Sequence, residues 1–413
     1  MGILDAPFVQ TSHISRRHSF ITAVESISQA NNGSGLTFRV AHSFLAPPTQ
    51  VRLVFYNNLA TAVTFAQTGA ATMRQIPAHL SPASSSEWVA GGAVTVPAQQ
   101  AANQPSMAFG PWIPVYPQES LDDPGTWPVT VFAYLDSSYA NYSCNNYDLS
   151  WMESESKASG GYWAQRNQAG DQATNPGTFS STTVQVRGPI AGIEMLSEKG
   201  GCVSFMLCGD SIAAGAGQTL LAKTDVYRAM QNINLINKKA GYVAAGWGGQ
   251  NSATYLARAL YMLPLVKPDV LVLTCGTPND GVPSLSGQRS NRQTMLQVID
   301  LCRTQGTRVL LRGWAPNTSN NWVDGTLTTT PTYPVATVSG DVYRRDQNTR
   351  CAAMDGTGVV TYTAGMTVLG NGAAPERYQA QYTTDNNHPN DAGWLAATPN
   401  MQAAMQRVLM KFK

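Results

Sequence analysis

One stretch near the middle of the chain constrains its fold more than any other. The apolar run Val203-Ser204-Phe205-Met206-Leu207-Cys208 has the length of a buried strand and ends abruptly in Gly209-Asp210-Ser211. Gly215 and Gly217 follow closely, so the chain is predicted to leave the strand through a tight, permissive bend. In an open parallel sheet, a serine at the carboxyl end of a strand lies in the crevice where ligands bind. Gly-Asp-Ser alone marks a turn or a helix start as readily as a nucleophile.

A second stretch changes that balance. Of the five histidines, His13, His18, His42 and His79 lie early, and His388 alone lies beyond Ser211. Asp385 precedes it by three residues and Pro389 follows it directly. A serine hydroxyl becomes a nucleophile when an imidazole takes its proton, and that imidazole needs a carboxylate to fix its tautomer. At this spacing one loop presents both groups, with Asp385 reaching the Nδ1 side of His388.

Gly209-Asp210-Ser211, followed late by Asp385-Asn386-Asn387-His388-Pro389, resembles the GDSL, or SGNH, hydrolases. That resemblance implies two further blocks, a glycine and an asparagine that complete an oxyanion hole. Gly246-Trp247-Gly248-Gly249-Gln250-Asn251-Ser252 looks like the first, with Gly249, just before the polar pair, as the implied donor. Val270-Leu271-Val272-Leu273-Thr274-Cys275-Gly276-Thr277-Pro278-Asn279-Asp280 looks like the second. It departs from the usual Gly-x-Asn-Asp in that Pro278 adds one residue, and Asn279 remains the implied donor. The resemblance therefore implies a serine esterase that hydrolyses carboxylic esters through an acyl-enzyme. Its triad would be Ser211, His388 and Asp385, and its oxyanion hole Ser211, Gly249 and Asn279. Asp210 and Asp280 are expected to anchor turns rather than touch substrate.

The family spans lipases, aryl esterases, thioesterases and carbohydrate O-acetylesterases. An appended β-rich region, a polar surface and aromatics near the blocks (Trp247 and Trp314) point to an acetylated glycan, because sugar rings stack on aromatic faces. Core packing accounts for each tryptophan equally well. A short-chain lipid or aryl ester is the alternative substrate. A glycan-binding or virion structural protein is the alternative that is not an enzyme, and it would show a broken triad.

The chain has 413 residues, enough for two or three domains, and 43% of them are apolar. Only 13% are charged and the net charge is +2, which gives no electrostatic case for nucleic acid or an anionic membrane. Polarity comes instead from Ser, Thr, Asn, Gln and Gly, which favours an extracellular or virion-associated setting over the cytoplasm. No apolar run approaches the ~20 residues of a membrane span. The start shows no signal-peptide pattern, and Pro7 stands where a myristoylation motif wants Ser or Thr.

No cofactor is expected. The six cysteines lack metal-ligand spacing, so no metal is expected either. Cys202 and Cys208 would lie roughly 20 Å apart on one strand, too far to bridge. A Cys302–Cys351 bridge and a free Cys144 both stay open.

Residues 1–195 are predicted to be a β-rich accessory domain, a sandwich or jelly roll. Strands are expected at Leu36-Thr37-Phe38-Arg39-Val40, Val51-Arg52-Leu53-Val54-Phe55-Tyr56, Val94-Thr95-Val96 and Val129-Thr130-Val131-Phe132. Residues 136–180, with Trp151 and Trp163, read as a long loop or lid. From residue 196 to 413 strands and helices alternate, which predicts an α/β domain with a parallel sheet. The resemblance implies a three-layer α/β/α, flavodoxin-like fold there. Helices are expected from Asp225 to near Gly241, from Ser252 to before Pro268, and over about 290–304. A closing helix begins near Asp391 and is interrupted at Pro399.

Overall fold

The computed structural model describes residues 17–21, 26–31, 33–72, 88–101, 104–145, 163–171, 188–198, 202–216, 224–235, 239–280, 284–316, 322–323, 326–327, 338–372, 376–385 and 387–412. Contacts divide the chain into two compact units. An amino-terminal unit comprises Ile14–Ser204 with Asn237–Val243, and a carboxyl-terminal unit includes Phe205–Ile236 and Ala244–Lys413.

The amino-terminal unit is β-rich. Its main strands are β1 (Arg17–Ile21), β2 (Leu36–Phe44), β3 (Gln50–Asn57), β4 (Val63–Thr72), β5 (Ser106–Phe109), β6 (Trp127–Leu135), β7 (Trp163–Ala169) and β8 (Ile190–Leu196). One antiparallel set runs β7-β2-β6-β4, in register through Val131↔Val40 and Val131↔Ala70. The other runs β1-β8-β3-β5, also antiparallel. Phe55 of β3 stacks on Phe65 of β4 at 4.4 Å, so the two sets share an aromatic core contact. All the strands expected here are present. The expected loop at 136–180 differs: Asn141–Asn145 pairs with Ser26–Ala30, and β7 pairs with β2. Trp151 lies outside the described residues, as do the side chains of Trp163 and Cys144.

The carboxyl-terminal unit is α/β. It holds β11 (Val270–Thr274), β12 (Arg308–Arg312) and β13 (Val360–Thr363), with the carboxyl-terminal parts of β9 (Cys202–Gly209) and β10 (Lys239–Gly246). Their order is β13-β12-β11-β9-β10. The pairs Phe205↔Val270, Val270↔Arg308 and Val309↔Val360 are parallel. Every residue of β9, β11 and β12 is buried, as strands covered on both faces require, which is why they read as apolar runs. Counted from β9, the order is 2-1-3-4-5, so the winding reverses between β9 and β11. In open α/β sheets that reversal opens a crevice at the carboxyl ends of the strands.

Among the described residues, the helices of this unit are α1 (Asp225–Leu235), α2 (Ser252–Val266), α3 (Leu285–Gln305), α4 (Val338–Ala352) and, after the last strand, α5 (Asp391–Leu409). They pack as pairs, α1 on α5 and α2 on α3. Side chains cap them as local chemistry dictates: Asn251 accepts from Thr254 N, Ser284 from Gly287 N and Asn390 from Gly393 N. Three boundaries differ from expectation. The first helix ends at Leu235, and Gly241 lies inside β10 instead of terminating it. The third helix starts five residues earlier than 290, at Leu285 behind its Ser284 cap. Pro399 does not interrupt α5, which runs through it, with the Thr398 hydroxyl donating to Trp394 O at 2.8 Å. Cys302 and Cys351 are both buried and are not bridged.

Beneath the carboxyl end of the sheet, Arg312 of β12 pairs with Asp225 of α1 at 3.1 Å, both side chains 0% exposed. Burial pushes the Asp225 carboxyl up and Arg312 partly offsets it. Removing one partner of such a pair leaves an uncompensated buried charge. Asp225→Ala is therefore expected to lower unfolding free energy by about 3–5 kcal/mol in urea denaturation. A loss below about 1 kcal/mol would contradict a buried charged pair.

Candidate active site

The first element of the site is the turn after β9. Asp210 directly follows the strand, and its Oδ1 accepts the backbone N–H of Ile212 (3.0 Å) and of Ala213 (3.4 Å). Its carbonyl accepts from Ala214 N, and Ser211 O accepts from Ala216 N, both at 2.9 Å, which closes the bend. The glycines around it are set by close approach. A Cβ on Gly209 would lie 2.1 Å from Thr274 Oγ1, and one on Gly246 would lie 2.3 Å from Ala214 N. The bend therefore sits directly on the ends of β10 and β11, with Ser211 half-buried at its start.

The second element is the loop before α5. Thr383 Oγ1 donates to His388 O at 2.8 Å and Asn390 N to Tyr382 O at 2.9 Å, so the loop is pinned at its base. Within it, Asp385 Oδ1 accepts from the backbone N–H of His388 (2.7 Å) and Asn387 (2.9 Å). Asp385 Oδ2 lies 2.6 Å from His388 Nδ1, and His388 Nε2 lies 3.0 Å from Ser211 Oγ. With Nδ1–H donating to the carboxylate, Nε2 is left to accept the serine hydroxyl. Burial alone would raise the Asp385 carboxyl, but the bonds from the His388 ring and from the His388 and Asn387 N–H groups hold it well below the usual carboxylate range. Sequence reasoning placed Ser211, His388 and Asp385, and these three side chains meet.

The glycine and asparagine blocks flank the turn. Trp247 N donates to Gly209 O at 3.3 Å. Gly249 is exposed and has φ 71°, in the left-handed region, with open space where a Cβ would stand. Asn279 sits on the short turn Pro278–Asp280 and donates its Nδ2 to Gln250 O at 3.1 Å, which ties the two blocks together. Asp280 accepts from Ser252 N at 2.8 Å and from the Ser252 hydroxyl, so it holds the start of α2. In this block Thr277 is fully buried, and its hydroxyl donates to Asp210 Oδ2. Sequence reasoning passed over Thr277, although the added residue beside it was a signal. Asp210 and Asp280 anchor turns, as expected.

Trp247 and Trp314 are placed differently from a sugar platform. Trp314 is 1% exposed, with its ring where a Cβ on Gly276 would go and its edge against Tyr343 at 5.8 Å. Asn348 clamps its backbone, accepting from Trp314 N at 2.8 Å and donating to Trp314 O at 3.0 Å. Trp247 is 7% exposed and lies under the Arg258 guanidinium. Both rings fill the core.

Residues 207–394 match the family described as GDSL-like Lipase/Acylhydrolase. Among solved structures, the chain is similar to a GDSL-like lipase from Bacteroides thetaiotaomicron, at 20% identity over 52% of this chain and 90% of that one, with a TM-score of 0.37. It is similar to a psychrotrophic esterase from Pseudoalteromonas sp. at 16% identity, over 50% and 98% of the two chains, with a TM-score of 0.33. A family two carbohydrate esterase from Cellvibrio japonicus is similar at 10% identity over 96% and 99%, with a TM-score of 0.33. No curated protein matches the chain.

The left-handed turn at Gly249 can be tested directly. Gly249→Ala introduces no clash but places a Cβ at positive φ, which costs about 1–2 kcal/mol. It is expected to lower the melting temperature of the domain by about 2–6 °C in calorimetry. An unchanged or raised melting temperature would contradict the turn geometry.

Proposed function

With residues 207–394 matching the GDSL-like Lipase/Acylhydrolase family, we propose that this chain is a serine esterase that hydrolyses carboxylic esters with Ser211, His388 and Asp385. The observation that carries this reading is the continuous chain of contacts, Ser211 Oγ to His388 Nε2 at 3.0 Å and His388 Nδ1 to Asp385 Oδ2 at 2.6 Å. Ser211 Oγ attacks the ester carbonyl carbon while His388 Nε2 takes its proton. Negative charge develops on the carbonyl oxygen, to which the N–H groups of Ser211 and Gly249 and the Asn279 amide donate hydrogen bonds. One hydrogen of Asn279 Nδ2 is engaged by Gln250 O, and the other is free for this role. Each such donor is worth about 2.7–4 kcal/mol in the transition state. The tetrahedral species collapses, His388 gives its proton to the departing alcohol, and Ser211 is left acylated. Water then attacks the acyl group, again losing its proton to His388, and the acid leaves with Ser211 restored.

For the substrate we propose an O-acetylated carbohydrate. Support comes from the appended β-rich unit and from a composition that is polar yet only 13% charged. Trp247 and Trp314 lend it none, since both lie in the core. At the level of architecture, the strand order 2-1-3-4-5 with two helix pairs supports a three-layer α/β/α, flavodoxin-like domain over 196–413. Residues 1–195 are read as a sandwich or jelly roll.

Ser211→Ala should lower kcat by about 10⁴-fold or more with an unchanged melting temperature. Acetate release from acetylated polysaccharide should exceed cleavage of long-chain p-nitrophenyl esters, and full activity of the folded variant would sink the nucleophile assignment. The pH profile supplies a second check. Because its folded pKa is depressed, Asp385 stays a carboxylate until well below pH 4, and only below its unfolded value of about 3.9 does its protonation begin to cost stability. On a limiting chemical step, kcat/KM is then expected to fall on acidification while Asp385 is still a carboxylate, because His388 works as a base only when neutral. A profile flat from pH 9 to 4 on a limiting chemical step would contradict a histidine base.

A further inference from the structure

We propose that Thr277 is a positioning residue whose buried hydroxyl holds the Ser211 turn and the Asn279 turn in register; the inference rests on the serine-esterase reading of the site. Thr277 is 0% exposed and cannot touch substrate. Its hydroxyl hydrogen goes to Asp210 Oδ2, and its oxygen accepts the backbone N–H of Asn279 at 3.2 Å. Gln250 O, the acceptor of the Asn279 amide, lies 3.5 Å from the same hydroxyl. Thr277 O accepts in turn from Asp280 N at 3.2 Å, which closes the turn on which Asn279 rides. One side chain thus joins the bend that presents the nucleophile to the bend that presents the side-chain oxyanion donor.

The joint matters because Asp210 has little slack. It is 1% exposed, and its other oxygen is committed to Ile212 N and Ala213 N. Without the Thr277 hydroxyl, Oδ2 would be a buried acceptor with no donor, and a buried carboxylate in that state must rotate or take a proton. Either response loosens the bonds that shape the Ser211 bend. At the same time Asn279 N loses its acceptor. A misplacement of about 1 Å between nucleophile and oxyanion donors costs on the order of 10²-fold in rate. Binding of a small ester, which the hydroxyl never touches, should change little.

The test compares Thr277→Val, which keeps the shape and removes the hydroxyl, with Thr277→Ser, which keeps the hydroxyl and removes a methyl. Both are assayed in the full chain on p-nitrophenyl acetate, with melting temperatures measured alongside. Thr277→Val is expected to lower kcat by about 10- to 100-fold with KM within about threefold of wild type. Thr277→Ser is expected to keep kcat within about threefold. A kcat for Thr277→Val within threefold of wild type overturns the inference, and so does a Thr277→Ser loss equal to that of Thr277→Val. Should Thr277→Val fail to fold, Thr277→Ala takes its place, because it removes the same hydroxyl without setting a methyl against Asp210 Oδ2. The same loss in kcat is expected, and an unchanged kcat overturns the inference. An inert wild type would sink the esterase reading and this inference together, whereas an active wild type with an equally active Thr277→Val sinks the inference alone.

Discussion

The buried carboxylate of Asp210 is the constraint around which the rest of the site is arranged. A carboxylate 1% exposed must have its lone pairs answered by the protein, because water cannot reach them. Asp210 satisfies one oxygen with the N–H groups of its own bend and the other with Thr277 from the neighbouring loop. Burial still pushes its carboxyl up, and the Thr277 hydroxyl leads the groups that draw it back. The cost of burying it is thereby tied to one arrangement of two loops. The shape of the bend that exposes Ser211 follows from that arrangement.

The same logic extends outward from the site. Asp280 holds the start of α2, and the Asn279 amide holds Gln250 O, so the loops after β10 and β11 are linked by polar contacts. Further out, Arg344 joins Asp341 to Glu376 and donates to Trp314 O, which fixes the loop after β12 against α4. Apolar strands supply the cohesion of this unit, and a few buried, paired polar groups decide where its loops stand. On the esterase reading, that division suits a site whose donors must be placed before the reaction begins.

Much of this was legible in the sequence because it is written locally. The apolar run of β9 ending in Gly209-Asp210-Ser211 and the spacing of Asp385 to His388 each describe one segment and need no partner to be read. What was not legible depends on distant residues. The helix Val338–Ala352 carries Arg344 and Asp341 on its buried side, so its inward face looks polar and shows no apolar period. Strand β10 opens at Lys239 and contains Gly241, and it is ordered by its neighbours in the sheet. Trp314 stands in the core because Gly276, 38 positions earlier, leaves it room, a contact no local pattern records. Its neighbourhood to a predicted block suggested a substrate platform; packing decided otherwise.

The central claim is that Ser211 is a nucleophile made reactive by His388. The most direct measurement is covalent labelling of the full chain with a fluorophosphonate, followed by peptide mass spectrometry. The account predicts a single adduct on the peptide containing Ser211, formed in wild type and lost in His388→Ala. An adduct on another residue, or labelling of Ser211 at an undiminished rate without His388, would contradict it.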